Sequence, residues 1–361
     1  MVDRIVIDGS HGEGGGQILR TALALAAVTG RPIRVERIRA GRRNPGLAAQ
    51  HLTAVRAAAR LCDARLIGDQ LGSETLDFEP GGTARSGHYL FDVAEAREGG
   101  SAGAATLVLQ TVLPPLALAE RDSTVTVSGG THVPWSPPFD YARDVWLPAL
   151  ARFGVDAKLD LQSWGWYPAG QGEIRARVRA SGRRERRLRS VVWRERGGLK
   201  QVRGRAVAAG LPAHIPQRMR DRACVLLARA GIDGAIEAQQ VEAASPGAGI
   251  FLTAAYAGGN AGFSALGQRG KLAEAVAEEA VRALLANRDA GAVCDVHLGD
   301  QVVVPAALAT GVSEFSVERA SRHLTTNTWV VERFGLAKVD IESSDDGVGV
   351  VTISPRQFNL R

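Results

Sequence analysis

Three times along this chain an apolar helix pattern is followed by a strand pattern, a polar loop, a second helix and another strand. The first pass reads "QILRTALALAAV", "IRVERI", "RAGRRNPGLAAQH" and, after a second helix and a small-residue stop, "ARLCDARLIG" (59–68). The second reads "ATLVLQTVLPPLALA", "STVTVSG", "GTHVPWSPPFDY" and "ARFGVDAKLDL" (151–161). The third reads "DQVVVPAALAT", "SEFSVE", "ASRHLTT" and "ERFGLAKVDIE" (332–342), its first strand apolar at alternate positions. The helix after "ASRHLTT" is predicted over "TWVVERFG", stopping at Gly335. Copies one and two are offset by about 90 residues and two and three by about 180, so about one repeat length is inserted between the last two.

The insert is expected to begin near the Arg-rich "SGRRERRLRS" (181–190) and to end around Leu272. Inside it "QVRGRAVAAG", a helix "PQRMRDRACVLLARAG" and strands "GAIEAQQVEA" and "GIFLTAAYA" predict a small α/β domain. The organisation predicted is a large domain over 1–184 carrying repeats one and two, an inserted domain over 185–275, and the third repeat over 276–361. Helix-on-sheet repeats would set the three polar loops at equivalent points, where they could converge on one site.

Composition changes this picture little. With 361 residues, 45% hydrophobic and 23% charged, the chain is that of an ordinary globular protein. "MVDRIVIDG" reads as a short strand and lacks the apolar core of a signal peptide. No apolar run approaches the ~18 residues of a membrane span. Cys62, Cys224 and Cys294 are far apart and outside CxxC spacing, so reduced thiols in the cytoplasm are expected, without disulfides or a Cys-based zinc site. A net charge of +6 suits a polyanion such as RNA or ATP.

Candidate chemistry lies in the loops. "DGSHGEGGGQILRT" (8–21) is a glycine-rich turn between a strand and a helix, where backbone N–H groups can cradle phosphate. It is neither a Walker A loop nor a dinucleotide fingerprint. Glu13 within it could hold a divalent ion beside the phosphates, or the loop could be only a structural turn. Arg39, Arg42 and Arg43 precede a Pro-Gly turn that leads to Gln50 and His51, and guanidinium forks bind phosphate. A solvated basic loop is the plainer alternative. "GTHVPWSPPFDY" (130–141) could stack a base on its rigid aromatic and proline surfaces, or be a packed surface loop. Asp300 and Gln301 open a buried helix, where Asp is often only a cap. Gln110 sits in an apolar helix and needs a partner for its amide. "IRARVR" is a strand with one basic face, able to track RNA phosphates or simply to be solvated.

His323 stands on a strand-to-helix turn with hydroxyls around it and no carboxylate within three residues. The positive end of a helix keeps imidazole neutral, and neutral imidazole is a nucleophile. Neither a triad nor a zinc set surrounds it in sequence. Beside phosphate-cradling loops this reads as attack at phosphorus: His323 takes AMP from ATP and pyrophosphate leaves.

"DGSHGEGGGQILRTALALAAVTGRP", "IRAGRRNPGLAAQHL", "GGTHVPWSPPFDY", "YPAGQGE", "GDQVVVPAALA" and "SRHLTTN", in this order, resemble the RNA 3'-terminal phosphate cyclase family. The resemblance extends to "PGAGIFL" and "GFSALGQRGKLAE" in the insert, so it covers essentially the whole chain. It implies an α/β (α+β) fold of three tandem βαβ-type repeats, helices packed on four-stranded sheets, with an inserted thioredoxin-like domain. It also implies the reaction, in which AMP moves from the histidine to an RNA 3'-phosphate and the vicinal 2'-OH closes a 2',3'-cyclic phosphate. The 2'-OH restricts the reaction to RNA-type ends, so no DNA-specific partner is expected.

By the same resemblance His323 matches the adenylated histidine. Gln110, His297, Leu298, Gly299, Asp300 and Gln301 match adenylate-binding positions, with Pro137, Tyr141 and His297 framing the adenine. Glu13 matches the carboxylate for Mg2+ or Mn2+. Gln17, Arg20, Arg39, Arg42, Gln50 and His51 match polar positions for triphosphate or RNA phosphate. Two departures stand out: Gln171 in "YPAGQGE" replaces a common third glycine, and His297 stands where some members have Tyr. The alternatives are a non-catalytic cousin in ribosomal RNA processing, a transferase of small anionic metabolites on a related repeat fold, and a pure RNA-binding module. The histidine in the last loop argues for catalysis.

Overall fold

A computed structural model describes residues 4–180, 187–343 and 347–356. Repeat one runs β1 Ile5–Asp8, α1 Gly16–Thr29, β2 Ile33–Glu36, α2 Ala49–Cys62, β3 Arg65–Ile67 and β4 Leu76–Glu79. Its sheet is ordered β1-β2-β4-β3, parallel between β1 and β2 and antiparallel at the other two pairings. Repeat two has β5 His88–Asp92, α3 Ala105–Ala117 and β6 Ser123–Gly129. It continues with α4 Phe139–Tyr141, a π-helical turn Ala142–Trp146, α5 Leu147–Arg152, β7 Asp156–Ser163 and β8 Gly172–Arg179. Its sheet, β5-β6-β8-β7, has the same order and directions.

Repeat three starts with β9 Val192–Trp193 and is then interrupted. The interruption carries β10 Leu199–Ala209, α6 His214–Arg229, β11 Gly234–Val241, β12 Gly247–Tyr256, β13 Asn260–Leu266 and α7 Ala273–Ala290. Repeat three resumes with α8 Leu298–Gln301, α9 Val303–Ala307, β14 Ser313–Val317, α10 Arg322–Arg333, β15 Ala337–Ser343 and β16 Gly349–Pro355. β9 pairs in parallel with β14, completing a third sheet β9-β14-β16-β15. The fold is therefore a mixed α/β repeat structure, as expected.

The elements of the insert run from Leu199 to Ala290, shifted from the expected 185–275. β9, inside that span, belongs to the third sheet. α7, expected with the third repeat, buries Val276, Val281 and Leu284 in the same core as Val202, Met219 and Ile250 of the insert. The shift has a simple cause: a two-residue strand carries no periodicity, and an amphipathic helix does not announce its partner. The expected starting stretch at 181–190 lies partly outside the described residues, as does the boundary at 184. The insert sheet is ordered β11-β10-β12-β13, with β10 parallel to β11 and antiparallel to β12.

One apolar cluster threads all three repeats, from Ile7 and Leu23 through Leu109 and Val127 to Phe315 and Val330. The helix predicted over "DQVVVPAALAT" is broken into α8 and α9. Pro305 has no N–H to offer the carbonyl of Gln301, so the helix cannot continue through that turn. The basic strand is β8. Ile174, Ala176 and Val178 face the core while Arg175, Arg177 and Arg179 face solvent, with Arg177 on Asp160 at 2.6 Å and Arg179 on Asp156 at 3.4 Å.

Candidate active site

The last loop and the first one meet. Ser321 caps α10, its Oγ accepting from the Leu324 N–H at 3.1 Å. The helix thus starts at Arg322, ahead of the predicted "TWVVERFG", because the cap supplies a start signal that the polar run conceals. His323 lies in the first turn, and Thr326 and Asn327 fall on the same face, three and four residues on. The glycine-rich loop packs on this face. His11 stacks on Trp329 with ring centroids 4.1 Å apart, and the Glu13 N–H donates to Thr326 Oγ1 at 3.3 Å. A Cβ on Gly12, at φ +60°, would collide with that hydroxyl, so the close approach requires glycine.

This docking brings Glu13 Oε2 to 2.8 Å from His323 Nδ1, while Arg42 pairs with the other carboxylate oxygen. The fold therefore gives His323 the carboxylate that its sequence neighbours lack. Neither Nδ1 nor Oε2 finds an aligned hydrogen bond. The contact is a close approach of charge to ring.

Beside this pair the repeats share a polar pocket. Gln17 Nε2 donates to Asp300 Oδ2 at 3.2 Å, and Arg20 donates to Gln17 Oε1. Gln110 Nε2 donates to Gln301 Oε1 at 2.7 Å, so its amide is satisfied within the site. Asn327 accepts from Thr21 Oγ1 at 2.7 Å and donates to the Asp300 carbonyl at 2.9 Å. Gln17, Arg20, Gln110, Asp300, Gln301 and Asn327 all line one pocket, with side chains from all three repeats.

The electrostatics follow from burial. Burial pushes the His323 imidazole below its usual 6.5, Arg20 and Arg42 adding to the effect and the Asp300 charge opposing it. The helix N-terminus acts in the same direction, but burial is the leading cause. Burial lifts Asp300 from 3.8 to about 7, against the pull of His323 and Arg20. Burial lowers Arg20 to about 10. His51 is held well below 6.5 by burial and then by Arg20, Arg39 and Arg42. Its Nδ1 is buried without a partner, and a Cβ on Gly16 would strike its Nε2.

Other expected positions are placed nearby by different means. Tyr141 is buried, its hydroxyl donating to Asp295 Oδ1 at 2.8 Å, and its ring meets that of exposed His297 edge-on at 6.4 Å. Leu298 and Gly299 are buried in α8, where a Cβ at 299 would press on Val317 Cγ1 at 2.8 Å. The Pro137 carbonyl accepts from Thr106 Oγ1 at 2.8 Å, which ties that loop to α3. Gln50 Oε1 accepts from the Ala104 N–H at 2.9 Å, and Arg39 donates to the Gly46 carbonyl at 2.7 Å. In this structure those three brace loops and make no bond to His323. Sequence reasoning missed Asp295, Thr21 and Asn327. Asn327 closes the "SRHLTTN" stretch and Thr21 closes "DGSHGEGGGQILRT", so both lay within motifs already singled out, while an acidic residue such as Asp295 gives no sign in sequence of the donors it will meet.

No group of three or more His, Cys, Asp or Glu among the described residues could hold a metal. Glu13 offers a single carboxylate, which suits a different kind of site. Its buried Oε2 has no aligned donor, and Mg2+ is commonly held by one or two carboxylates, with substrate phosphates and water completing the shell.

The family model for RNA 3'-terminal phosphate cyclase matches residues 11–341, a span that holds both Glu13 and His323. The chain belongs to the RNA 3'-terminal phosphate cyclase family. The RNA 3'-terminal phosphate cyclase of Methylococcus capsulatus is 63% identical over 347 residues, covering 96% of this chain and 95% of its own. That of Trichormus variabilis is 53% identical, covering 96% and 99%. That of Archaeoglobus fulgidus is 42% identical, covering 93% and 96%. Cyclase family membership thus extends over repeats and insert alike, and none of the described helices is long and apolar enough to cross a membrane.

Proposed function

We propose that this chain converts an RNA 3'-terminal phosphate to a 2',3'-cyclic phosphodiester at the expense of ATP, through AMP carried on His323, and so works as an ATP-dependent ligase-class enzyme. The observation that carries the reading is the pairing of His323 with Glu13. A carboxylate beside Nδ1 favours the tautomer with its proton there and leaves the lone pair on Nε2. That nitrogen attacks the α-phosphorus of ATP, the bond to pyrophosphate breaks, and a phosphoramidate forms. An oxygen of the RNA 3'-phosphate then attacks the same phosphorus and the P–N bond breaks. The RNA phosphate now carries AMP as a leaving group, which a phosphate monoester lacks. The vicinal 2'-OH attacks it, AMP departs, and the cyclic ester remains.

In this reading Gln110, Leu298, Gly299, Asp300 and Gln301 form the nucleotide pocket, and Pro137, Tyr141 and His297 frame the adenine. Gln17, Arg20, Arg39, Arg42, Gln50 and His51 face triphosphate or RNA phosphate, and arginine forks suit those oxygens. Mg2+ or Mn2+ held by Glu13 would offset charge on the triphosphate. Three thiols with no disulfide among them suit the cytoplasm.

The test is self-adenylation with α-labelled ATP and a divalent metal, in the absence of RNA, with His323→Ala alongside. Acid-labile, alkali-stable label that vanishes in the variant supports the reading, and an RNA 3'-phosphate should then discharge it where a 3'-OH end does not. A wild-type protein that takes no label in any metal defeats the reading and favours the non-catalytic alternative.

A further inference from the structure

Asp295 joins three separate parts of the molecule beside the nucleotide pocket. It is 2% exposed and accepts four hydrogen bonds. Oδ1 takes the Tyr141 hydroxyl at 2.8 Å and the His297 and Leu298 N–H groups at 2.9 Å each. Oδ2 takes the Gly262 N–H at 3.1 Å. These donors come from repeat two, from the start of α8 in repeat three, and from β13 of the insert. One carboxylate therefore orients an adenine-framing ring, caps the helix that carries Asp300 and Gln301, and is itself held by the inserted unit.

A second contact, independent of that carboxylate, points the same way. A Cβ on Gly262 would sit 2.6 Å from Tyr141 Cδ2 and 2.8 Å from Val145 Cγ2. The insert thus presses bare backbone against the back of the Tyr141 ring. The same side of the insert is fastened to the chain on both sides of Tyr141: Arg205 of β10 pairs with Asp140 at 2.7 Å, and Asn260 donates to the Asp144 carbonyl at 2.7 Å.

We infer that Asp295 is a positioning residue of the nucleotide pocket, and that through Asp295 and Gly262 the inserted unit sets the affinity for ATP. This rests on the reading of Tyr141 and the 297–301 turn as the adenylate pocket. Asp295 touches no reacting atom. It fixes the ring and the α8 turn in the geometry that nucleotide meets, so ATP need not order them on binding.

The experiment measures self-adenylation against ATP concentration for the wild type, Asp295→Asn and Gly262→Ala, with thermal unfolding of each and with Arg218→Ala as a control in the insert. Arg218 lies on α6, paired with Glu274. The expected result is a rise of tenfold or more in the KM for ATP in both variants. The maximal labelling rate should stay within about threefold, and Arg218→Ala should behave as wild type. A purely structural role would lower the labelled fraction and the melting temperature with the KM for ATP unmoved, and that overturns the inference. Wild-type ATP dependence in Gly262→Ala, the variant that lies wholly in the insert, overturns the part assigned to the insert. Failure of the wild type to label at all overturns the proposed function, and this inference with it.

Discussion

Glu13 and His323, from opposite ends of the chain, stand 2.8 Å apart between Oε2 and Nδ1. The contact exists because a loop of glycines lets backbone lie on α10 where side chains would not fit. Removing the carboxylate should leave the nucleophile present but poorly oriented, without a partner at Nδ1. Glu13→Ala is expected to slow self-adenylation by about 10–100-fold, by analogy with the cost of losing a carboxylate that orients a metal-binding histidine. Labelling within twofold of wild type would sink the idea.

The rate of self-adenylation should follow the neutral form of His323. Its folded-state value lies below 6.5, so the rate should be level at pH 7 and fall only on the acid side. Asp300, with a folded value of about 7, is largely protonated across that limb and gives His323 little charge there, so Asp300→Asn should leave the acid limb close to its wild-type position. Single-turnover labelling between pH 5 and 8 reads both, and a limb that moves in the variant contradicts the assignment.

Asp300 also makes stability depend on pH. Its folded value is about 7 against an ordinary 3.8. Below 3.8 both states hold the proton and the stabilising contribution is complete. As pH rises through 7 the folded state must keep a bare carboxylate buried, and the contribution is lost. Wild type should therefore lose about 1.4 kcal/mol between pH 6 and 8 relative to Asp300→Asn. Urea unfolding at the two pH values decides it, and equal slopes for the two proteins would rule it out.

Gln171 adopts φ +54° in the "YPAGQGE" turn, a left-handed conformation that favours glycine. A left-handed residue with a Cβ costs roughly 1–2 kcal/mol, and glycine returns part of that as chain entropy, about 0.5–1 kcal/mol. Gln171→Gly should raise the melting temperature by up to about 2 °C without changing labelling. A lower melting temperature would show that the Gln side chain holds the turn in some other way.

Asp140 is buried between His132 Nε2 at 2.9 Å and Arg205 at 2.7 Å, and its folded value falls to about 2. Burial alone would raise it, and the bonds to His132 and Arg205 overcome that. Arg205→Ala should cost roughly 3 kcal/mol, since it removes the insert's counter-charge from a buried carboxylate. This contribution is present above pH 3.8 and is lost as pH falls towards 2, so the gap between variant and wild type should close in acid. A gap that stays constant from pH 7 to 3 would exclude the ion pair as its source.

Much of this site could be read before the fold was known, and the reason is local chemistry. Glycines 12, 14, 15 and 16 mark a close approach whatever they approach, and His323 declares itself by standing alone among hydroxyls. What sequence cannot carry is who meets whom. Glu13 was expected beside a metal, and its contact with His323 depends on how α10 packs on the glycine-rich loop. Asp295 looks like any acidic residue near a helix start, and only the fold brings Tyr141 and Gly262 to it. β9 was overlooked for the same reason, since two residues gain meaning only from the strand they join.

The position of the insert sets a problem in chain closure. β9 must pair with β14, and the Val191 N–H meets Ser313 Oγ across a separation of 122 residues. Arg196, just before β10, donates to the carbonyls of Asn287 at 2.6 Å and Arg288 at 2.7 Å near the end of α7. One guanidinium thus clasps the way into the insert to the way out. Once the insert has folded, the long loop behaves as a short one, and about two halvings of effective length recover roughly 1.2 kcal/mol of closure entropy. A unit that looks like an interruption in the sequence thereby becomes the splint on which the third sheet is assembled.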